Sequence, residues 1–165
     1  MFKEKNISYN YREYEHPDEL NAEDQELIMS AKAAAKMAYA PYSKFMVGAA
    51  IRLESGRIVR GSNVENAAFP SGICAERTAI AYAVSNYPDD KPVALAIAAI
   101  TEGGLPAEFV SPCGNCRQVI AEEEERTGRQ IRIILSGKER IRIIDGIGPL
   151  LPLQFGRDSL RITRP

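Results

Sequence analysis

Residues 93–100 read VALAIAAI, apolar at every position, and a strand of this kind leaves few folds open. A strand with one wet face alternates apolar and polar side chains. This one has no polar face, so both of its sides must be covered, as in the parallel sheets of layered folds. It is far too short for the ~18 residues that a membrane span needs. Helical stretches flank it in the chain, one from about Cys74 (CAERTAIAYAVSN) to about Asn86 and one from Cys113 to about Arg126. Upstream, residues 45–53 (FMVGAAIRL) and 57–64 (RIVRGSNV) are two strands across the turn Glu54-Ser55-Gly56. Downstream, residues 131–135 and 141–144 are further strands. Two strands followed by helix, strand, helix and strand predict a three-layer α/β/α sandwich around a central mixed β-sheet.

The ends of the chain read differently. Residues 1–20 are polar, rich in Tyr and Glu, and close on His16-Pro17-Asp18. They are expected to form an arm outside the main fold, leaving residues 21–165 as one domain. Asn21 is a helix N-cap with Asp24 three residues on, an imperfect capping box. The helix it opens places Leu27, Ile28, Ala31, Ala34, Ala35 and Ala38 on one face and ends before Pro41. Residues 101–112 (TEGGLPAEFVSP) are a loop, and residues 149–165 are irregular with one helical turn.

Charge narrows the class of partner. With 21 basic residues against 22 acidic ones, a net charge of −1 and a pI near 6.0, the chain lacks the basic excess used to grip phosphate backbones. A small neutral substrate is expected, with neither nucleic acid nor membrane as partner. The N-terminal residues show no apolar signal core, which points to the cytoplasm. The three cysteines, Cys74, Cys113 and Cys116, are odd in number, and with no export signal a disulfide framework is disfavoured.

Two segments carry the chemistry: Cys74-Ala75-Glu76-Arg77 and Pro112-Cys113-Gly114-Asn115-Cys116. A catalytic zinc takes three protein ligands and keeps one open position. Cys74, Cys113 and Cys116 supply three and leave none over. Cys113 and Cys116, at i and i+3, can meet one ion from the same helix face. Both segments open helices, so free N–H groups and partial positive charge favour the thiolates. Glu76, two residues along from Cys74, is not needed as a fourth ligand. A carboxylate beside the open position is well placed to take a proton from a bound water. Arg77, at i+3 from Cys74, can donate to a thiolate and offset the net −1 that three thiolates leave around Zn2+.

The runs AYAPYSKFMVGAAI (38–51), NVENAAFPSGICAERTAI (63–80), SPCGNCRQ (111–118) and LLPLQF (150–155), in this order, resemble the cytidine deaminases of the small homotetrameric type. The resemblance covers about residues 21–160. It implies hydrolytic deamination of cytidine and deoxycytidine, with zinc on the three cysteines and Glu76 as the proton shuttle. It implies that Asn63 and Glu65 hold the ribose; at i and i+2 of a strand end they point the same way, with Val64 toward the core. Phe45 matches an aromatic of the pyrimidine pocket. The Ala75 N–H and the Ser111 carbonyl match groups that hold the ring oxygen and the amine. Phe155 matches an aromatic that closes the pocket from a neighbouring subunit, so the resemblance implies a homotetramer with shared sites. Phe69 stands where some relatives carry Tyr.

Competing readings are blander. The CxxC of residues 113–116 could be a redox pair, but that leaves Cys74 unused. A silent zinc-stabilised binding module would want a fourth ligand, and deamination of a nucleoside antibiotic would not need a ribose pair. His16 is expected to be a solvated loop residue, and Glu122 to Glu125 a solvated helix face. Phe45 and Phe155 could be plain core aromatics, and Asn63 and Glu65 turn residues.

Overall fold

The structure, a computed structural model, describes residues 2–101 and 109–160. Most of the loop expected at 101–112, and the last residues of the irregular C-terminal segment, lie outside the described residues. Six strands form one sheet: β1 (Arg12–Tyr14), β2 (Met46–Leu53), β3 (Ile58–Ser62), β4 (Pro92–Ile100), β5 (Arg132–Ser136) and β6 (Ile141–Asp145). Their order is β1-β6-β5-β4-β2-β3, and β4 and β5 are the parallel pair in an otherwise antiparallel ladder. The sheet is mixed because apolar β4 lies at its centre, antiparallel to β2 and parallel to β5.

Helix α1 (Ala22–Ala35) covers one face, and α2 (Ala75–Asn86) and α3 (Gly114–Thr127) cover the other. Ala94, Ala96 and Ala98 pack with Leu27, Ile28 and Ala31 of α1. The alternate residues Leu95 and Ile97 join Ala79, Ile80 and Ile120 on the α2 and α3 side. Two glycines set how closely the helices approach. A Cβ on Gly48 would stand 2.1 Å from the Ala31 carbonyl oxygen of α1, and one on Gly61 would stand 2.4 Å from the Ala75 carbonyl oxygen of α2. Neither site can hold a side chain unless a helix moves away, and α2 carries one end of the cysteine cluster.

The helix ends follow from local chemistry. Asn21 accepts from the Asp24 N–H at 2.8 Å and donates its own amide to the Asp24 carboxylate at 3.2 Å. The helix stops at Ala35, so Ala38 falls beyond the buried face. Gly128, at φ +67°, ends α3 in a left-handed C-cap that an L side chain adopts only under strain. The turn between β2 and β3 is held by Asp90, which accepts from the Ser55 N–H at 3.0 Å.

Two expectations are corrected. The polar segment 1–20 does not lie wholly outside the sheet. Arg12, Glu13 and Tyr14 pair with Ile143, Arg142 and Ile141, and Leu20 is buried in the α1-side core. Ion pairs from Arg12 to Asp145 and from Glu13 to Arg140 and Arg142 tie this strand down. Nor is the run from Glu122 to Glu125 a solvated face. Glu123 is buried and bonded twice to Arg126, at 2.8 and 2.7 Å. One oxygen of Glu124 accepts the backbone N–H groups of Ile131 at 2.8 Å and Ile147 at 3.0 Å. Burial raises the Glu124 carboxyl above its ordinary value, against the pull of those two amides. Carboxylates sit inside here because each finds donors that the chain itself cannot satisfy otherwise.

Candidate active site

Helices α2 and α3 begin at the same place. Cys74 is the N-cap of α2, Cys113 is the N-cap of α3, and Cys116 lies one turn into α3. Their sulfurs all lie within 4.8 Å of one another. Cys74 Sγ is 3.8 Å from Cys113 Sγ, which is 3.5 Å from Cys116 Sγ. Thiolates on one tetrahedral zinc, each at ~2.3 Å, stand about 3.8 Å apart, so the cluster has the size and donor set for that ion.

The electrostatics call for a cation. Burial pushes the Cys74 thiol up, and the neighbouring Cys113 and Glu76 add to this against a hydrogen bond from Cys116. Burial also raises Cys116, and Glu76, Cys113 and Cys74 push it further. At Cys113 burial pushes upward too. Hydrogen bonds from Cys116, Cys74 and the Asn115 amide outweigh it, and this thiol falls below its ordinary value. Three crowded sulfurs resist ionising together until a divalent ion supplies the opposite charge.

Glu76, on the first turn of α2, is 4% exposed. Burial raises its carboxyl above the ordinary value, partly offset by its own backbone N–H and by Cys116. A buried carboxyl beside the cluster is placed to exchange protons with what binds there. The Ala75 N–H lies at the first position of α2, where no intrahelical acceptor exists.

These groups form one wall of a cleft of about 680 Å3. Phe45, Asn63, Glu65, Ala75, Glu76 and Ser111 line it together with Cys74 and Cys113. Asn63 and Glu65 also have work within the chain. The Asn63 side chain accepts from the Val47 N–H at 2.7 Å and donates to the Phe45 carbonyl at 3.0 Å, fixing the entry to β2. Glu65 accepts from the N–H groups of Tyr42 at 2.9 Å and Ser43 at 3.2 Å and from the Ser43 hydroxyl. The Ser43 hydroxyl and these amides hold its carboxyl below the ordinary range against desolvation. The turn it grips carries Lys44 at φ +58° and delivers Phe45 to the cleft. Each side chain keeps unused capacity, one N–H and one lone pair on Asn63 and one lone pair or more on Glu65. Val64 does not point into the core. It is 45% exposed, because its backbone bridges to Ile73 and Tyr39 and turns the side chain to the cleft rim.

Four further residues singled out in the sequence stand apart from the cysteine corner. Arg77 is half-buried and makes no hydrogen bond or ion pair with the described residues, Cys74 included. Phe155 is 58% exposed and does not line the cleft of its own chain. Phe69 is 78% exposed at the rim, with its ring edge toward Tyr42 at 6.3 Å. His16 is exposed, in a short turn that Glu19 caps through the His16 N–H at 2.8 Å.

Arg117 and Gln118, which directly follow Cys116, make bonds that the motif alone does not show. Arg117 donates to the Pro112 carbonyl and to the Leu150 carbonyl, each at 2.8 Å. Gln118 donates to the Phe155 carbonyl at 2.9 Å. The signal was present, since both residues belong to the SPCGNCRQ run. Their acceptors could not be read there, since they are backbone carbonyls, distant ones for Leu150 and Phe155.

Known proteins share this arrangement of chain. The family model of the cytidine and deoxycytidylate deaminase zinc-binding region matches residues 21–127. The cytidine deaminase of Sporosarcina psychrophila is 52% identical over 98 residues, covering 59% of this chain and 68% of that one. The probable cytidine deaminase of Dictyostelium discoideum is 41% identical over 143 residues, 86% of this chain and 90% of that one. Among solved structures, the Burkholderia pseudomallei cytidine deaminase has a TM-score of 0.68 at 36% identity, covering 79% of this chain and 97% of its own. That of Mycobacterium tuberculosis has a TM-score of 0.63 at 34% identity, covering 82% and 99%. A match that spans both cysteine segments, with relatives similar over most of their own length, means that this chain belongs to the cytidine and deoxycytidylate deaminase family.

Proposed function

We propose that this chain deaminates cytidine and deoxycytidine hydrolytically to uridine and deoxyuridine, releasing ammonia, in pyrimidine salvage. Its cofactor is zinc, held by Cys74, Cys113 and Cys116. The observation that carries the reading is the buried Glu76 beside three clustered sulfurs at the floor of a nucleoside-sized cleft. When bound, zinc supplies a water acidic enough to act as a nucleophile near neutral pH. Glu76 would take one proton of the attacking water and deliver it to the ring nitrogen. It would then take the remaining hydroxyl proton as the ring carbonyl forms and deliver it to the amine, which leaves as ammonia. The Ala75 N–H donates to the ring carbonyl and the Ser111 carbonyl accepts from the amine, which fixes which ring carbon meets the nucleophile. Phe45 packs against the pyrimidine, and the free capacity on Asn63 and Glu65 receives the ribose. Arg77, on the first turn of α2, is the cation that would offset the excess charge of the thiolates.

Phe155 closes the pocket of a neighbouring subunit, and the working form is a homotetramer. An exposed aromatic whose backbone is pinned by Gln118, but which does not reach its own cleft, supports this. No described helix is long and apolar enough to cross a membrane, and we place the activity in the cytoplasm.

The test is ammonia release from cytidine, deoxycytidine, cytosine and cytidine monophosphate, with zinc measured on the same sample. We expect about one zinc per chain and turnover of both nucleosides. Cytosine leaves Asn63 and Glu65 without a partner and should fall at least about a hundredfold in kcat/KM. The monophosphate meets no cationic side chain among the cleft-lining residues and should also be poor. Equal kcat/KM for base and nucleoside would remove the ribose role, and full activity without zinc would remove the metal.

A further inference from the structure

The wall of the cleft that carries Val110 and Ser111 is a short segment, residues 109–112, entering the site just before Cys113. Its far end is fixed by Arg117, which bonds the buried Pro112 carbonyl. Its near end is fixed by a residue of another strand. The Arg142 guanidinium of β6 lies 3.7 Å from the centroid of the Phe109 ring. The same guanidinium lies 4.8 Å from the ring of Tyr11 and donates through Nε to Glu13 at 2.7 Å. Glu13 is directly opposite Arg142 in the β1–β6 register, and Tyr11, two residues before it, lies just ahead of β1.

We propose that Arg142 is a positioning residue for the substrate pocket, and that the N-terminal strand β1 holds it in place. The inference rests on the reading of this cleft as the nucleoside site. A planar guanidinium has two requirements here, a flat contact with an aromatic face and a partner for its charge. Phe109 meets the first. Glu13 and Tyr11, both from the segment before α1, keep the group oriented from the other strand. Without them the long Arg142 side chain regains its rotamers, Phe109 loses its contact, and Ser111, two residues on, loses its fixed place. No other assigned role of the chain uses β1, which lies outside the region matched by the family model.

The experiment is steady-state kinetics on cytidine with the zinc-loaded full-length chain, comparing Arg142→Met, Phe109→Leu and the double variant, with zinc content and Tm measured alongside. Arg142→Met should raise KM about three- to tenfold, the range of a partly buried cation–π contact. It should leave kcat within about twofold and zinc unchanged, because the wall binds ground state and transition state alike. Phe109→Leu should behave similarly, and the double variant should be no worse than the poorer single one, since both break the same contact. Arg142→Lys keeps the charge for Glu13 but not the flat face, and should recover only part of KM. If Arg142→Met does not fold, Tyr11→Ala, at an exposed residue just ahead of β1, decides the matter through a smaller KM rise in the same direction. Unchanged KM with only a lowered Tm would overturn the proposal, as would additive effects of the two substitutions. A zinc-loaded parent without activity on cytidine would overturn the functional reading itself, and this inference with it.

Discussion

The cleft has two sides built in different ways. The metal corner stands on the first turns of two long helices pressed against the sheet, and its inner groups, Glu76 and Cys116, are buried, whereas Cys74 is half-buried and Cys113 faces the cleft. The nucleoside rim stands on turns and short bridges, with Phe69 and Tyr42 in solvent and Asn63 and Glu65 already bonded to their own chain. The corner is complete within one chain. The rim is open, and its polar groups are half committed to holding the loop that presents Phe45. Catalytic groups gain from being fixed before substrate arrives, because reorganising them during reaction costs rate. Binding groups at a rim can instead be completed by whatever comes to cover them, substrate or a second subunit.

Three substitutions test this contrast, the first expected to have the largest effect. Glu76→Gln, in the corner, should lower kcat about a hundred- to ten-thousandfold, because an amide cannot take the proton. The fold and the zinc content should survive, since the amide is nearly isosteric. Turnover near the parent rate would show that the corner's proton carrier is another group.

Phe155→Ala probes the rim. If a neighbour supplies this ring, mixing unfolded Phe155→Ala chains with unfolded Glu76→Gln chains and refolding them together regenerates intact sites. Random assembly places an intact Phe155 over an intact Glu76 in roughly a quarter of them. Activity should therefore rise to about that fraction of the parent. A mixture that merely averages its two components, with exchange verified, would return Phe155 to its own subunit and close the rim within one chain.

The smallest effect belongs to Arg77→Gln, on the first turn of α2. The Arg77 side chain makes no hydrogen bond or ion pair with the described residues, so any role it has in the proposed reaction must come through its charge rather than through a fixed contact. We expect kcat to fall about tenfold, the low end of what residues behind metal ligands carry, with zinc retained. An unchanged kcat would make Arg77 a solvated residue on α2 and confine the corner to the cysteines and Glu76.

The layered fold and the cysteine corner were legible in the sequence because short-range rules decide both. An all-apolar strand needs two covering layers, and a helix start exposes its N–H groups to whatever side chain stands there. Strand and helix bounds fell within a residue or two of those expected, apart from the first helix, expected to include Ala38 and to end before Pro41, which stops at Ala35. Spacing alone told that Cys113 and Cys116 could share an ion. What it could not tell was the price paid by Asn63 and Glu65, whose partners are backbone groups of residues 42–47 on a different strand and turn.

By itself the sequence determined which residues can do the chemistry, since a thiolate, a carboxylate and a helix start keep their properties wherever they are placed. Only the tertiary structure decided where the polar segments went. Arg12–Tyr14 carry no apolar face that would announce a strand, yet they pair with β6 because ion pairs and the free edge of that strand offer them partners. Glu123 and Glu124 read as surface, yet they sit inside because Arg126 and the amides of Ile131 and Ile147 are there to receive them. Hydrophobic periodicity is a property of neighbours in sequence, whereas a buried or docked polar group depends on a donor or acceptor that folding brings from far along the chain.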